Sequence, residues 1–268
     1  MVHDADDVDD ATMLAFARET KLSETTFVQA GDDEADYRNR IWMMTHEAPF
    51  AGHPSLGTAV AVADRRGESK ASYVQRTHAG LQPIDVELAT EGPRAGRVAR
   101  VSMVQAPEEF VSDLDPARVF ATIGLTPDDG VPDFPCELVA TGVNQIIAPV
   151  RSADALSRIR PNPEALAALI AETSSLVVYA CVCDPAHGRA DARAFFDSPG
   201  GIAEEDPATG SAAGPLMAYL RKHTGIASLV IDQGVQMGRP SRLDAAMEGD
   251  RPRVGGECVI IARGSVHL

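Results

Sequence analysis

The sequence predicts an α/β (α+β) chain in which one unit is used twice, each copy a group of short strands around a helix of small residues. Two observations predict it. The first is a repeated motif. His53-Pro54-Ser55-Leu56-Gly57-Thr58-Ala59 and Asp206-Pro207-Ala208-Thr209-Gly210-Ser211-Ala212 share the skeleton X-Pro-x-x-Gly-(Ser or Thr)-Ala. The second is context. Each motif leads a run of small apolar residues, "SLGTAVAVADRR" (55–66) and "DPATGSAAGPLMAYLRKH" (206–223), among strand-like segments. A helix that is apolar on nearly every side belongs in a core rather than on a surface.

The elements follow in order. "DDATMLAFARET" (9–20) reads as a helix capped by Asp9 or Asp10, with Met13, Leu14, Phe16 and Ala17 on its apolar face. "TTFVQA" (25–30) and "YRNRIWMMT" (37–45) read as strands around the acidic turn "GDDEAD". The first small-residue helix comes next, then the strand-like runs "ASYVQRT", "IDVELAT" and "RVARVSMV". Residues 105–135 are rich in Pro, Asp and turn formers and read as a domain connection. The pattern then restarts. "CELVAT", "QIIAPV", "SLVVYACV" and "DARAFF" read as strands, and "SADALSRI" and "NPEALAALIAET" as helices. "DSPGG" (197–201) reads as a turn, the second small-residue helix follows, and "ASLVIDQ" and "VGGECVIIARG" close the chain as strands. The domains expected are 1–105 and 106–254, with the last strand, near 255–268, able to return to the first.

Composition narrows the function. The 268 residues carry a net charge of −15, which argues against non-specific binding to nucleic acid or to an anionic membrane. Hydrophobic content of 44% supplies real cores. The four cysteines, Cys136, Cys181, Cys183 and Cys258, show no C-x-x-C spacing, so a zinc ribbon or a thioredoxin-type site has no support. Cys181 and Cys183 share one face of a strand and read as small buried hydrophobes. With no signal peptide and no long apolar run, a cytoplasmic protein is expected. No phosphate loop, dinucleotide fingerprint, nucleophile elbow or metal-ligand spacing is found, so no cofactor is expected.

The repeated motif has a chemistry of its own. Pro is favoured at the first helical position, which makes His53 and Asp206 the expected N-caps. The N–H groups behind them carry partial positive charge, and Gly57 and Gly210 let a ligand approach the backbone. Each copy is therefore a candidate anion niche, suited to a small carboxylate. An Asp at such a place is also an ordinary cap worth about 1 kcal/mol. His is a poor cap, so His53 leans towards function.

"LSETTFV" (22–28), "PFAGHPSLGTA" (49–59), "EEDPATGSAA" (204–213) and "GVQMGRPSRL" (234–243) together resemble the PhzF-like proteins of phenazine biosynthesis, over essentially the whole chain. The resemblance implies the diaminopimelate-epimerase fold: two similar domains, each a curled, mostly antiparallel sheet around a central helix, with the active site between them. It implies a cofactor-independent isomerase that moves a proton on a small cyclic or unsaturated carboxylic acid, resembling the family's trans-2,3-dihydro-3-hydroxyanthranilate isomerase, and a homodimer. By the same resemblance Glu24 is the acid/base, taking a proton from C3 and delivering it to C1. His53, Asp206 and Ser211 bind or polarise the substrate, with His53 and Asp206 able to assist the transfer, and Gly52 and Gly210 give close backbone approach. Related racemases use two cysteines at the helix starts; here those places hold His53 and Asp206, so a two-thiol mechanism is not expected. Two other readings fit the same residues: an amino-acid epimerase without cysteines, or a carboxylate-binding protein without turnover.

Three departures from the family pattern are visible. About twenty residues, including a first strand, are expected ahead of "MVHDADD", which points to a misassigned start or to a sheet with an open edge. Lys21 stands where Asn is common. Pro215 falls inside the second small-residue helix and is expected to kink it, or to end its first segment near Ser211.

Overall fold

The computed structural model describes residues 1–198 and 200–267. The turn expected at "DSPGG" includes Pro199, which lies outside the described residues; Gly200 and Gly201 both adopt positive φ. The chain forms two compact units, 1–104 with 255–268, and 105–254.

The first unit holds α1 (Asp10–Thr20), β1 (Thr25–Ala30), β2 (Tyr37–Trp42), β3 (Glu47–Ala48), α2 (Gly52–Arg66), β4 (Lys70–Thr77), β5 (Gly80–Leu88) and β6 (Val98–Val104). Its strands lie in the order β1-β2-β4-β5-β6. All neighbours run antiparallel except β2 and β4, which are parallel and joined through α2. The small residues of α2 are why the sheet can close on it. Ala59, Val60, Val62 and Ala63 are buried and pack against Val28, Tyr37, Tyr73, Ile84, Val86 and Val101 from the strands. On the other face of β1 and β2, α1 buries Met13 and Ala17 against Phe27 and Trp42. Asp9 caps α1, accepting from Thr12 N at 2.8 Å.

The second unit holds β7 (Glu109–Asp113), α3 (Pro116–Thr122), β8 (Glu137–Ala140), β9 (Asn144–Pro149), α4 (Ala153–Arg158), α5 (Pro163–Thr173), β10 (Ser175–Asp184), β11 (Arg189–Ser198), β12 (Ile202–Asp206), α6 (Gly210–Thr224), β13 (Ser228–Gln233) and β14 (Ser241–Glu248). The strand order is β14-β13-β11-β10-β9-β8-β7. The last strand, β15 (Arg251–Val259), begins in this unit and ends in the first. Every residue of α6 from Ala212 to Leu220 is buried, and Leu216, Met217, Tyr219 and Leu220 have no exposed surface. The opposite face of the sheet is covered by α3, α4 and α5 through Phe120, Leu156, Leu166 and Leu169.

The duplication reaches beyond the motif. In the first unit the parallel pair β2/β4 is linked through α2, and β2 also carries the short antiparallel strand β3. In the second, the parallel pair β11/β13 is linked through α6, and β11 also carries the antiparallel strand β12. Arg40 stands 13 residues before His53, and Arg193 stands 13 before Asp206. Each arginine forks onto a glutamate of the accessory strand: Arg40 onto Glu47 at 2.8 and 2.5 Å, Arg193 onto Glu205 at 2.9 and 2.6 Å. Each also lies over the aromatic ring two residues on, Trp42 at 5.5 Å and Phe195 at 4.9 Å. Planar guanidinium groups suit both contacts at once.

Three expectations are corrected. The outer edge of β1 is not open: Val2 N bonds Thr26 O, Val28 N bonds Val2 O, Ala5 N bonds Val28 O, and Ala30 N bonds Asp6 Oδ1. The helix α6 neither ends nor restarts at Pro215. The missing N–H removes one bond, to Ser211 O, and burial of the helix on all sides outweighs that loss. Neither motif proline starts a helix. α2 begins at Gly52, ahead of Pro54, and α6 begins at Gly210, after Pro207. The reason is local. Asp206 bonds its own following residues, Ala208 N at 3.4 Å and Thr209 Oγ1 at 2.6 Å, which holds a turn in place of a helix. Ser55 and Thr58 instead bond back to Ala51 O and Pro54 O at 2.7 Å, the helical direction.

Arginine pairs also set the acid response. Hydrogen bonds from Arg76, Arg263 and Arg158 hold the carboxyls of Asp32, Asp64 and Asp129 below their ordinary range, Asp32 at about 2. Such groups take up protons more readily in the unfolded chain, so their contribution to stability is complete above the ordinary carboxylate range, near pH 4, and fades as pH falls through their folded values. The urea midpoint is expected to be flat from pH 7 to about 5 and to drop steadily between about pH 4 and 2.

Candidate active site

The first cluster is assembled at the start of α2. Helix α1 ends at Lys21, whose φ of 51° is left-handed, and the chain turns there to bring Glu24 just ahead of β1. Thr58 then ties β1 to α2, with its hydroxyl 2.9 Å from Thr26 Oγ1. Glu24 Oε2 comes to lie 3.0 Å from His53 Nε2, with the glutamate side chain 16% exposed and the imidazole 58%. Glu24, which composition alone would make an ordinary loop residue, is therefore a largely buried carboxylate beside an accessible imidazole. Gly52 is the first residue of α2.

Lys21 gains a physical account. A non-glycine residue pays for the left-handed conformation, and Asn and Gly bear it best at a helix C-cap. Lys21→Gly is expected to raise stability by about 0.5–1 kcal/mol, read as a higher urea midpoint at unchanged slope.

The second cluster forms around the start of α6. Asp206 ends β12, and its carboxylate is held by Thr209 Oγ1 and Ala208 N. Ser211, in the first turn, has its Oγ 3.3 Å from Gln145 Nε2. Gly210 O accepts from Gln105 Nε2 at 2.9 Å, while Gln105 Oε1 accepts from Thr141 Oγ1 at 2.6 Å. Gln105 lies so close over the helix that a Cβ at Gly214 would sit 1.8 Å from its Oε1 and 3.0 Å from Pro252 Cγ. Gly214→Ala is therefore expected to expel the Gln105 amide and lose both its bonds, costing about 1–3 kcal/mol in urea unfolding.

The two motif helices differ from the others in one respect. Asp9, Asp115, Ser152 and Asn162 cap α1, α3, α4 and α5 with side-chain bonds. No side chain caps α2 or α6. Added Cβ atoms at Gly57 and Gly210 meet nothing closer than Val254 Cγ1, 4.0 Å from the latter. Packing does not require glycine at these two helical positions. At both starts the N–H groups of the first helical turn receive no capping side chain, although at α6 Thr209 N donates to Gln233 Oε1 at 3.2 Å.

Several residues of these clusters were not singled out from sequence: Gln105, Gln145, Tyr179, Thr209 and Gln233. The available signal was a polar residue at an inward strand position. In β13, Leu229, Ile231 and Gln233 are buried in alternation, so Gln233 sits where an apolar side chain is the rule.

Comparison with known proteins decides the family. The family described as phenazine biosynthesis-like protein matches residues 1–264. The chain belongs to this PhzF-like family. It is 34% identical to the trans-2,3-dihydro-3-hydroxyanthranilate isomerase of Pseudomonas aeruginosa, over 99% of this chain and 91% of that one. It is 33% identical to an uncharacterized isomerase of Mesorhizobium japonicum, over 100% and 92%. The solved structure of a predicted epimerase from Pseudomonas aeruginosa superposes with a TM-score of 0.78 at 30% identity, covering 98% of this chain and 92% of that one. This PhzF-like chain is accordingly an isomerase by family. No helix among its described residues is long and apolar enough to cross a membrane.

Proposed function

We propose that this chain is a cofactor-independent isomerase that moves a proton within a small cyclic or unsaturated carboxylic acid, of the type of trans-2,3-dihydro-3-hydroxyanthranilate. The observation that carries the reading is the Glu24–His53 pair, a largely buried carboxylate 3.0 Å from an imidazole at a helix start that no side chain caps. Ionised Glu24 takes the proton from C3, the double bond shifts, and the protonated carboxyl returns the proton at C1. One proton leaves C3 and one is added at C1, exchanging with solvent while it is carried on the carboxyl, so no oxidant or reductant is consumed. His53 steadies the carboxylate and helps the transfer. Asp206 and Ser211 hold the polar groups of the substrate, and the backbone at Gly52 and Gly210 receives its carboxylate. A cytoplasmic homodimer completes the reading. Light scattering after size exclusion checks the dimer, at twice the chain mass of 28.4 kDa.

A second reading is favoured by the likeness to the predicted epimerase: exchange at the α-carbon of an amino acid, with no double-bond shift. An NMR screen in D₂O separates the two. Dihydro-3-hydroxyanthranilate and a panel of cyclic and amino acids are offered to the wild-type chain. Deuterium at C1 with a shifted double bond supports the isomerase. Deuterium only at an α-carbon with inversion moves the assignment to the epimerase. Binding without exchange leaves a carboxylate-binding protein.

A further inference from the structure

We infer that Gln233, acting through Thr209, is the positioning residue for Asp206; the inference rests on the role proposed for Asp206 above. Gln233 has no exposed surface and Thr209 only 5%. The Gln233 amide uses its full bonding capacity. Oε1 accepts from Thr209 N at 3.2 Å and from Tyr179 Oη at 2.8 Å. Nε2 donates to Asp206 O at 2.7 Å and to Thr209 Oγ1 at 2.9 Å. The direction of this chain of bonds is fixed by one group that cannot reverse. Thr209 N–H is a backbone donor, so the amide oxygen must face it and the amide nitrogen must face the Thr209 hydroxyl. That hydroxyl accepts from Gln233, so its single proton goes to Asp206 Oδ2, 2.6 Å away. Asp206 is thereby held as an acceptor, in one orientation, and the same amide grips its backbone carbonyl.

The arrangement explains two otherwise separate features. Thr209 is the residue before α6, yet it does not cap the helix. Its hydroxyl is spent on Asp206 instead. Gln233 takes an inward position in β13 where Leu229 and Ile231 continue the core. An apolar residue there would leave Thr209 N–H buried without its acceptor and take the Gln233 donor away from Asp206 O.

The test compares wild type with Thr209→Ser, Thr209→Val and Gln233→Glu. Thr209→Ser keeps the hydroxyl, and Thr209→Val keeps the shape without it. Gln233→Glu keeps the oxygen that accepts from Tyr179 and Thr209 N and removes both Nε2 donors, to Thr209 Oγ1 and to Asp206 O. Proton exchange on dihydro-3-hydroxyanthranilate in D₂O gives kcat and KM, and thermal melting controls for folding. A displaced carboxylate is expected to cost about 10–100-fold in kcat. Thr209→Val and Gln233→Glu should show that loss with KM changed far less, while Thr209→Ser stays close to wild type. Full kcat in Thr209→Val, or equal losses in Thr209→Val and Thr209→Ser, would overturn the inference. A second readout needs no substrate: the side-chain amide protons of Gln233 in ¹⁵N-labelled protein. They should exchange slowly in wild type and Thr209→Ser, and one should exchange faster in Thr209→Val. If wild type exchanges no compound, the proposed function falls and the amide signal alone decides: slow exchange weakened only by Thr209→Val upholds the inference, and rapid exchange in wild type ends it.

Discussion

Glu24→Gln is expected to lose about 10²–10⁴-fold in turnover, the range that a positioned acid or base contributes. The amide keeps the shape of the carboxyl and can still bond His53, whose Nε2 lies 3.0 Å from Glu24 Oε2. It cannot take a proton and return it. Product formation from dihydro-3-hydroxyanthranilate, followed by chromatography, measures the loss. The urea midpoint should stay near that of wild type, because no fork, cap or core contact is removed. A variant that keeps its turnover would place the proton transfer on another side chain, with His53 and Asp206 the next to test.

Arg193→Met is expected to cost about 3–5 kcal/mol of stability. Arg193 and Glu205 have side chains only 9% and 14% exposed, so removing the guanidinium leaves a carboxylate in the interior without its countercharge. Leu156 O also loses its donor, 3.0 Å from Arg193 Nη1. The double change Arg193→Met with Glu205→Leu should recover most of the loss, since a paired ion exchanged for packed apolar groups is close to neutral. Urea unfolding of the two variants beside wild type checks both statements. The same logic applies to Arg40 and Glu47, where Asp10, 72% exposed, accepts one further bond from Arg40. If Arg193→Met were as stable as wild type, water would have to reach Glu205 freely.

The parts of the fold that sequence makes legible are those where one local signal dominates. Helix α1 shows its Asp9 cap and apolar face, and β1 shows its β-branched and aromatic run. The small-residue helices α2 and α6 are legible because only a buried helix tolerates so little polar surface. Short accessory strands are different. β3 has two residues and β12 contains three acids, and each exists because an arginine of the neighbouring strand forks onto its glutamate. Nothing local announces that pairing. Helix α3 hides in a segment dense in Asp and Pro, where Asp115 and Pro116 turn out to start a helix rather than a linker. The helix end that Pro215 suggests does not occur, because local propensity loses to the burial of α6.

The site divides in the same way. The niches at α2 and α6 are visible as a repeated motif, and Glu24 enters by family likeness alone. The polar supports behind them, Gln105, Gln145, Thr209 and Gln233, come from four different stretches of chain. Their partners are set by tertiary pairing, such as that of β13 with β11, so no motif spacing can declare them. Helix starts are also displaced from the motif prolines, because an Asp side chain can hold a turn against the helix and a His cannot.

The role proposed for Glu24 as the proton carrier can be tested on its own. The most direct measurement is single-turnover conversion of dihydro-3-hydroxyanthranilate in D₂O by wild type and Glu24→Gln side by side, with deuterium at C1 read by NMR. Wild type is expected to give an isomerised product labelled at C1, and Glu24→Gln neither label nor isomerisation on the same timescale. Equal conversion and labelling by the two proteins would contradict that role.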